Sequence, residues 1–82
     1  MNVPVRLFAR ARDVMGKDVV LVELQPGSSV GDMRRRLEAE FPQLKSLLER
    51  SALAVNDEFA DDSSTIPSNA EVALLPPVSG GS

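Results

Sequence analysis

Residues 71–82, EVALLPPVSGGS, limit what this chain can fold into more than any other stretch. An apolar run that alternates, with Val72 and Leu74 on one side and Glu71, Ala73 and Leu75 on the other, reads as a strand. Pro76 and Pro77 stop it, because proline has no backbone N–H and a fixed φ. Beyond them Val78, Ser79, Gly80 and Gly81 carry almost no apolar surface to bury. A body ending at residue 77 and a thin extended tail over 78–82 are expected, a shape suited to insertion into another protein's cleft. The functional question therefore falls on the tail.

Composition narrows the chemistry. At 82 residues the chain is one small domain, near the lower size limit for a core without staples. It has no cysteine and no histidine, so disulfides, thiolate nucleophiles and the usual general base are excluded. No metal site and no permanently bound cofactor are expected. Three phenylalanines and a net charge of −3 argue against nucleic acid, which calls for a basic patch and stacking platforms. No apolar run reaches membrane-spanning length and MNVPVRLF is no leader, so the expectation is a soluble cytoplasmic protein. Asp57, Glu58, Asp61 and Asp62 share a loop-like run with only Phe59 and Ala60 for apolar cover, too little to make a general acid of any of them. Any chemistry must pass through the backbone terminus.

From the other end, Val3, Val5, Leu7 and Ala9 alternate with Pro4, Arg6, Phe8 and Arg10, a half-buried strand with Phe8 on its outer face. A turn through Arg10, Arg12, Asp13 and Gly16 should lead into a second strand over 19–24 (VVLVEL), closing a hairpin. Pro26-Gly27 breaks that strand. Ser29 and Asp32 have capping-box spacing, and Val30, Met33, Leu37 and Phe41 then form one helical stripe stopped by Pro42. Arg34, Arg35 and Arg36 read as a salt-laced solvated face. Leu44, Leu47 and Leu48 suit a helical turn plugging the core's edge. A short strand over 53–55, the turn Asn56-Asp57 and a loop through Phe59 follow, with Thr65-Ile66 as a brief edge pairing and Ser68-Asn69 as a last turn.

One helix and one sheet's worth of strands fit an α+β architecture: a mixed sheet of four to five strands wrapped over a single helix, its first and last strands parallel neighbours. This is the β-grasp, or ubiquitin-like, fold. The core expected is Val5, Leu7, Val19, Leu21, Val30, Met33, Leu37, Phe41, Leu53, Val55, Val72 and Leu74. Each fully buried aliphatic side chain contributes about 1.5–3 kcal/mol before entropy. Phe8 and Leu75 should emerge together at the tail's end of the outer face, with Phe59 beside them, as a partner-binding patch.

Three stretches carry a family resemblance: V-R-L-F-A-R-A-R-x-x-x-G from Val5 to Gly16, Leu53-Ala54-Val55-Asn56, and E-V-A-L-L-P-P-V-S-G-G from Glu71 to Gly81. Together they resemble the molybdopterin synthase small subunit, a MoaD-like sulfur carrier, over essentially the whole chain. The resemblance implies a subunit not catalytic by itself. Its Gly81 carboxylate is adenylated by an ATP-dependent adenylyltransferase, so that AMP and then sulfur are attached transiently, ending as a thiocarboxylate. Val78, Ser79 and Gly80 would thread the tail into the large subunit, in a heterotetramer of two small and two large chains, for dithiolene formation. Phe8, Phe59, Leu75, Pro76 and Pro77 would dock on partners, and Arg12 would make a polar partner contact. The family normally ends at Gly-Gly, whereas Ser82 follows here; trimming by a hydrolase, an appended residue, or a copy unable to carry sulfur each account for it. The alternatives are a carrier for thiamine or tRNA thiolation, a protein modifier, or an interaction domain with an inert tail.

Overall fold

The computed structural model describes residues 1–76; Pro77, Val78, Ser79, Gly80, Gly81 and Ser82 lie outside the described residues. The chain runs β1 (Asn2–Leu7), α1 (Ala9–Met15), β2 (Val19–Glu23), α2 (Val30–Glu40), a 3-10 turn (Pro42–Leu44), α3 (Lys45–Leu48), β3 (Ala52–Val55), β4 (Glu58–Phe59) and β5 (Val72–Leu75). The strands form one sheet in the order β2-β1-β5-β3-β4. β1 and β5 are parallel neighbours, with Val5 opposite Val72 and Leu7 opposite Leu74, as a β-grasp requires.

The connection between β1 and β2 differs from expectation. The strands do pair antiparallel, but α1 joins them in place of a turn. The segment Ala9–Met15 (ARARDVM) is rich in good helix formers. Ala11 is buried against the core, and Gly16 closes the helix in the left-handed region at φ 71°, donating its N–H to the Arg12 carbonyl. Ala9 enters the helix at φ 51°, a conformation that costs an L-residue about 1–2 kcal/mol.

The inward face of β2 is the second correction. Val20 and Val22 are buried, whereas Val19 is 42% and Leu21 64% exposed. VVLVEL is apolar at both parities, so period two cannot choose a face. The antiparallel register chooses it, setting Val20 opposite Val5 and Val22 opposite Val3. Phe41 and Val55 are only partly buried, packed against the core's rim. Residues outside the expected core complete it: Val3, Ala11, Leu24, Leu44, Leu48, Ile66 and Ala70.

The helix over Val30–Glu40 forms where its caps predict, and all four leading N–H groups find acceptors. Val30 donates to the Ser64 carbonyl and Gly31 to the Asp62 carbonyl, each at 2.8 Å. Asp32 donates to Ser29 Oγ at 3.1 Å and Met33 to the Ser29 carbonyl at 3.0 Å. A Cβ on Gly31 would stand 3.2 Å from the Asp62 carbonyl oxygen, so the loop through Asp62 approaches because that position is glycine. Asp32 pairs with Arg35 at 2.6 Å, Arg36 with Glu40 at 2.5 Å and Arg34 with Asp62 at 3.2 Å, which makes the arginine run a salt-laced face.

Asn56 and Asp57, at φ 51° and 69°, form the two-residue turn of the β3–β4 hairpin, in which Val55 faces Glu58. Positive φ at both positions fits the type I′ turns that match strand twist. The short strand is therefore Glu58–Phe59, a segment expected as loop. Thr65 makes only a lone bridge to Ser29, and Ile66 beside it is buried.

Candidate functional site

Parallel pairing of β1 with β5 puts the exit of one beside the exit of the other. β1 ends at Leu7, opposite Leu74. Phe8 follows in extended conformation, at φ −131° and ψ 158°, and remains 40% exposed. Phe8, Leu75 and Pro76 line one apolar cleft at the point where the chain leaves the sheet, and Ala11, Leu47 and Leu74 line it as well. Its cavity volume is about 20 Å³, far below the roughly 300–1,000 Å³ of small-molecule sites. An inserted apolar side chain of a partner suits such a cleft better than a cofactor does.

Phe59 lies elsewhere on the same face. Successive registers form a row across the sheet: Phe59 faces Ala54, Ala54 faces Ala73, Ala73 faces Arg6 and Arg6 faces Val19. Phe59 is 74% exposed at the edge strand, separated from Leu75 by β3, where Ala54 faces Phe59 and Ala52 faces Leu75. Ala54 is already buried and Ala73 half-buried there, so the exposed apolar groups of this face stand at two margins, one at Phe59 and one at Phe8–Leu75. Of the residues the sequence singles out, the structure brings Phe8, Leu75 and Pro76 together and keeps Phe59 on their face, outside their cleft.

Arg12 does not join them. It pairs with Asp18 at 3.7 Å, both side chains exposed, and lines a different surface depression with Lys17 and Asp18. Arg10 is the arginine at the cleft, with Ser51 and Leu47 on its far wall. Sequence reasoning passed over Arg10 because it treated the segment as a turn. A helical reading puts Arg10 and Ala11 beside the β1 exit. Leu47 and Ser51 carry no local signal of their own; only the tertiary placement of α3, packed on α2, brings them to the cleft.

A family model described as the ThiS family matches residues 5–81. The chain belongs to the ThiS family. Within it, the chain is 44% identical over 78 residues to the molybdopterin synthase sulfur carrier subunit of Dictyostelium discoideum, covering 92% of this chain and 91% of that protein. It is 33% identical over 81 residues to the subunit of the same name from Arabidopsis thaliana, covering 99% and 84%. Among solved structures, SAMP1 from Haloferax volcanii superposes with a TM-score of 0.83 at 30% identity, covering 99% of this chain and 100% of that one. A chain of the complex of subunits 1 and 2 of molybdopterin-converting factor from Helicobacter pylori 26695 superposes with a TM-score of 0.69 at 27% identity, covering 99% and 100%. These solved neighbours share the β-grasp architecture described above.

Proposed function

We propose that this ThiS-family chain is the sulfur carrier subunit of a molybdopterin synthase. The observation that carries the reading is the 44% identity, running nearly end to end in both chains, to a curated subunit of that name. The geometry agrees with a carrier. A central strand, β5, leads out of the sheet at Leu75 and Pro76, which themselves line the apolar cleft. The large subunit would cover the outer face and engage Phe8, Leu75 and Phe59; that a similar chain from Helicobacter pylori forms a complex with subunit 2 of molybdopterin-converting factor supports such a partner.

The reacting group is the carboxyl carbon of Gly81. A carboxylate resists nucleophiles, so it attacks the α-phosphorus of ATP and forms an acyl-adenylate with loss of pyrophosphate. A sulfur nucleophile at the sulfide oxidation level then displaces AMP and leaves a thiocarboxylate. Glycine lacks a Cβ and passes through a narrow channel that a side chain would block. Because Ser82 follows Gly81, loading requires hydrolysis of the bond between them. The chain supplies no catalytic side chain to these steps; the adenylyltransferase and the large subunit do.

Intact mass spectrometry of the protein taken from its own cells tests the reading. Loss of Ser82 with oxygen replaced by sulfur is the expected species. A full-length, unmodified chain in cells with active molybdopterin synthesis overturns it. The likeness to SAMP1 favours one second reading, a protein modifier, which predicts isopeptide conjugates of Gly81 with lysines of other proteins.

A further inference from the structure

The two edges of the sheet are built differently. At one edge, β4 is two residues long, flanked by Asp57 and by Asp61 and Asp62, a brief, charged edge of the kind that resists further pairing. At the other, β2 is the five-residue run Val19–Glu23 (VVLVE), with no proline and no lysine inside it. Its outward backbone groups can be assigned. Leu24 and Met1 exchange backbone hydrogen bonds, and Leu7 donates to the Asp18 carbonyl. In an antiparallel ladder bonded pairs alternate with unbonded ones, so Val20 and Val22 bond to β1 as well. Val19, Leu21 and Glu23 therefore direct their N–H and C=O groups away from it. Pro4, which has no N–H, stands opposite Leu21, at one of the unbonded positions.

We propose that β2 is a self-pairing edge, joining two copies of this chain antiparallel about a two-fold axis at Leu21. Three features favour a second copy as the occupant. The free groups at 19, 21 and 23 are symmetric about Leu21, so one register sets Leu21 against Leu21 and Val19 against Glu23 with every free pair bonded. The exposed side chain of Leu21, 64% accessible, then meets its own copy on the outer face, as an isologous interface demands, and Val19, 42% accessible, lies diagonal to the other copy's Leu21. The same register sets Lys17 of each copy diagonal to Glu23 of the other, an opposite-charge pair. β1 separates β2 from β5, so the dimer leaves Leu75 and Pro76 uncovered. A contact of this size belongs to the small, reversible class of interfaces.

Sedimentation of the full chain from micromolar to millimolar concentration should show a reversible rise from monomer to dimer. Leu21→Lys, which sets two cations face to face at the axis, should raise the dimer dissociation constant about tenfold or more. The chain has no cysteine, so single-cysteine variants report the register directly. Residues 21 meet at about 5.5 Å between Cα atoms, within disulfide reach; residues 23 stand about 14 Å apart along the strands. Leu21→Cys should cross-link under mild oxidation and Glu23→Cys should not. Both positions are exposed, and unchanged circular dichroism of each variant verifies the fold. A chain that stays monomeric at millimolar concentration, a dimer indifferent to Leu21→Lys, or equal cross-linking at 21 and 23 overturns the proposal. So does a β2 edge filled only by another protein's strand.

Discussion

Ser29 and Asp32 hold each other across the first turn of α2. The Ser29 N–H donates to the Asp32 carboxylate at 3.0 Å, and the Asp32 N–H donates to Ser29 Oγ at 3.1 Å. The backbone donor from Ser29 acts first, and the Arg35 guanidinium second, to hold the Asp32 carboxyl below its ordinary 3.8. A depressed carboxyl stabilises the fold wherever it is ionised. That contribution is present above pH 3.8 and is lost as pH falls through the lower folded value. Asp32→Asn should therefore melt below the parent protein at neutral pH, with the gap closing in acid. Thermal melts at pH 7 and well below 3.8 measure it, and a gap that persists undiminished in acid contradicts it. Ser29→Ala, which removes the reciprocal acceptor, should cost about 1 kcal/mol.

The parity of β2 has a direct energetic signature. Val22→Ala removes buried methyl groups facing Val3 and should cost roughly 1–2 kcal/mol. Val19→Ala acts on the open face and should change stability by less than about 0.5 kcal/mol. Chemical denaturation at low protein concentration compares the two; equal losses would mean that the register is shifted by one residue.

Arg34 ties three segments together. Its guanidinium donates to the carbonyls of Leu48 and Ser51, at 2.5 Å and 3.1 Å, and to Asp62 at 3.2 Å. Arg34→Ala strands two partly buried carbonyls and should cost about 1–3 kcal/mol. Lysine, with one compact ammonium group, cannot reproduce the fork, so Arg34→Lys should recover only part of the loss in urea unfolding. Full recovery would reduce the interaction to simple charge pairing with Asp62.

Phe8→Ala and Leu75→Glu probe the cleft at the chain's exit. Each should leave the circular dichroism spectrum unchanged and weaken binding to the large subunit about thirtyfold or more, as expected for a buried aromatic or aliphatic anchor. Arg12→Ala, outside that cleft, should change binding less than threefold by the same scale. Titration calorimetry with the large subunit ranks the three, and a dominant loss at Arg12 would relocate the docking surface to the α1–β2 corner.

Much of this was legible before folding because it is local. Ser29 and Asp32 announce a helix start by spacing, Pro42 its stop, and Asn56-Asp57 a tight turn, since each depends on groups a few residues apart. α1 was missed because Arg10, Arg12 and Asp13 look like a polar connection. Its evidence was helix propensity, a weak signal over seven residues, and it was settled by Ala11 reaching the core. Phe59 could be recognised as an exposed aromatic, but its distance from Leu75 depends on the strand β3 that pairs between them.

The chain's own order of residues determined that a helix would cover a mixed sheet, that the first and last strands would be neighbours, and that two prolines would halt the final strand before a glycine pair. The helix and the strand ends follow from caps, periodicity and fixed φ, which act within a few bonds; the neighbouring of first and last strands follows from the order of elements around one sheet. Tertiary structure alone decided which side of VVLVEL turns inward, which arginine stands at the cleft, and that Phe59 remains apart from Phe8 and Leu75. An apolar run of both parities satisfies either face equally. Only its hydrogen-bonded partner, with Val3 and Val5 already committed to the core, breaks the tie.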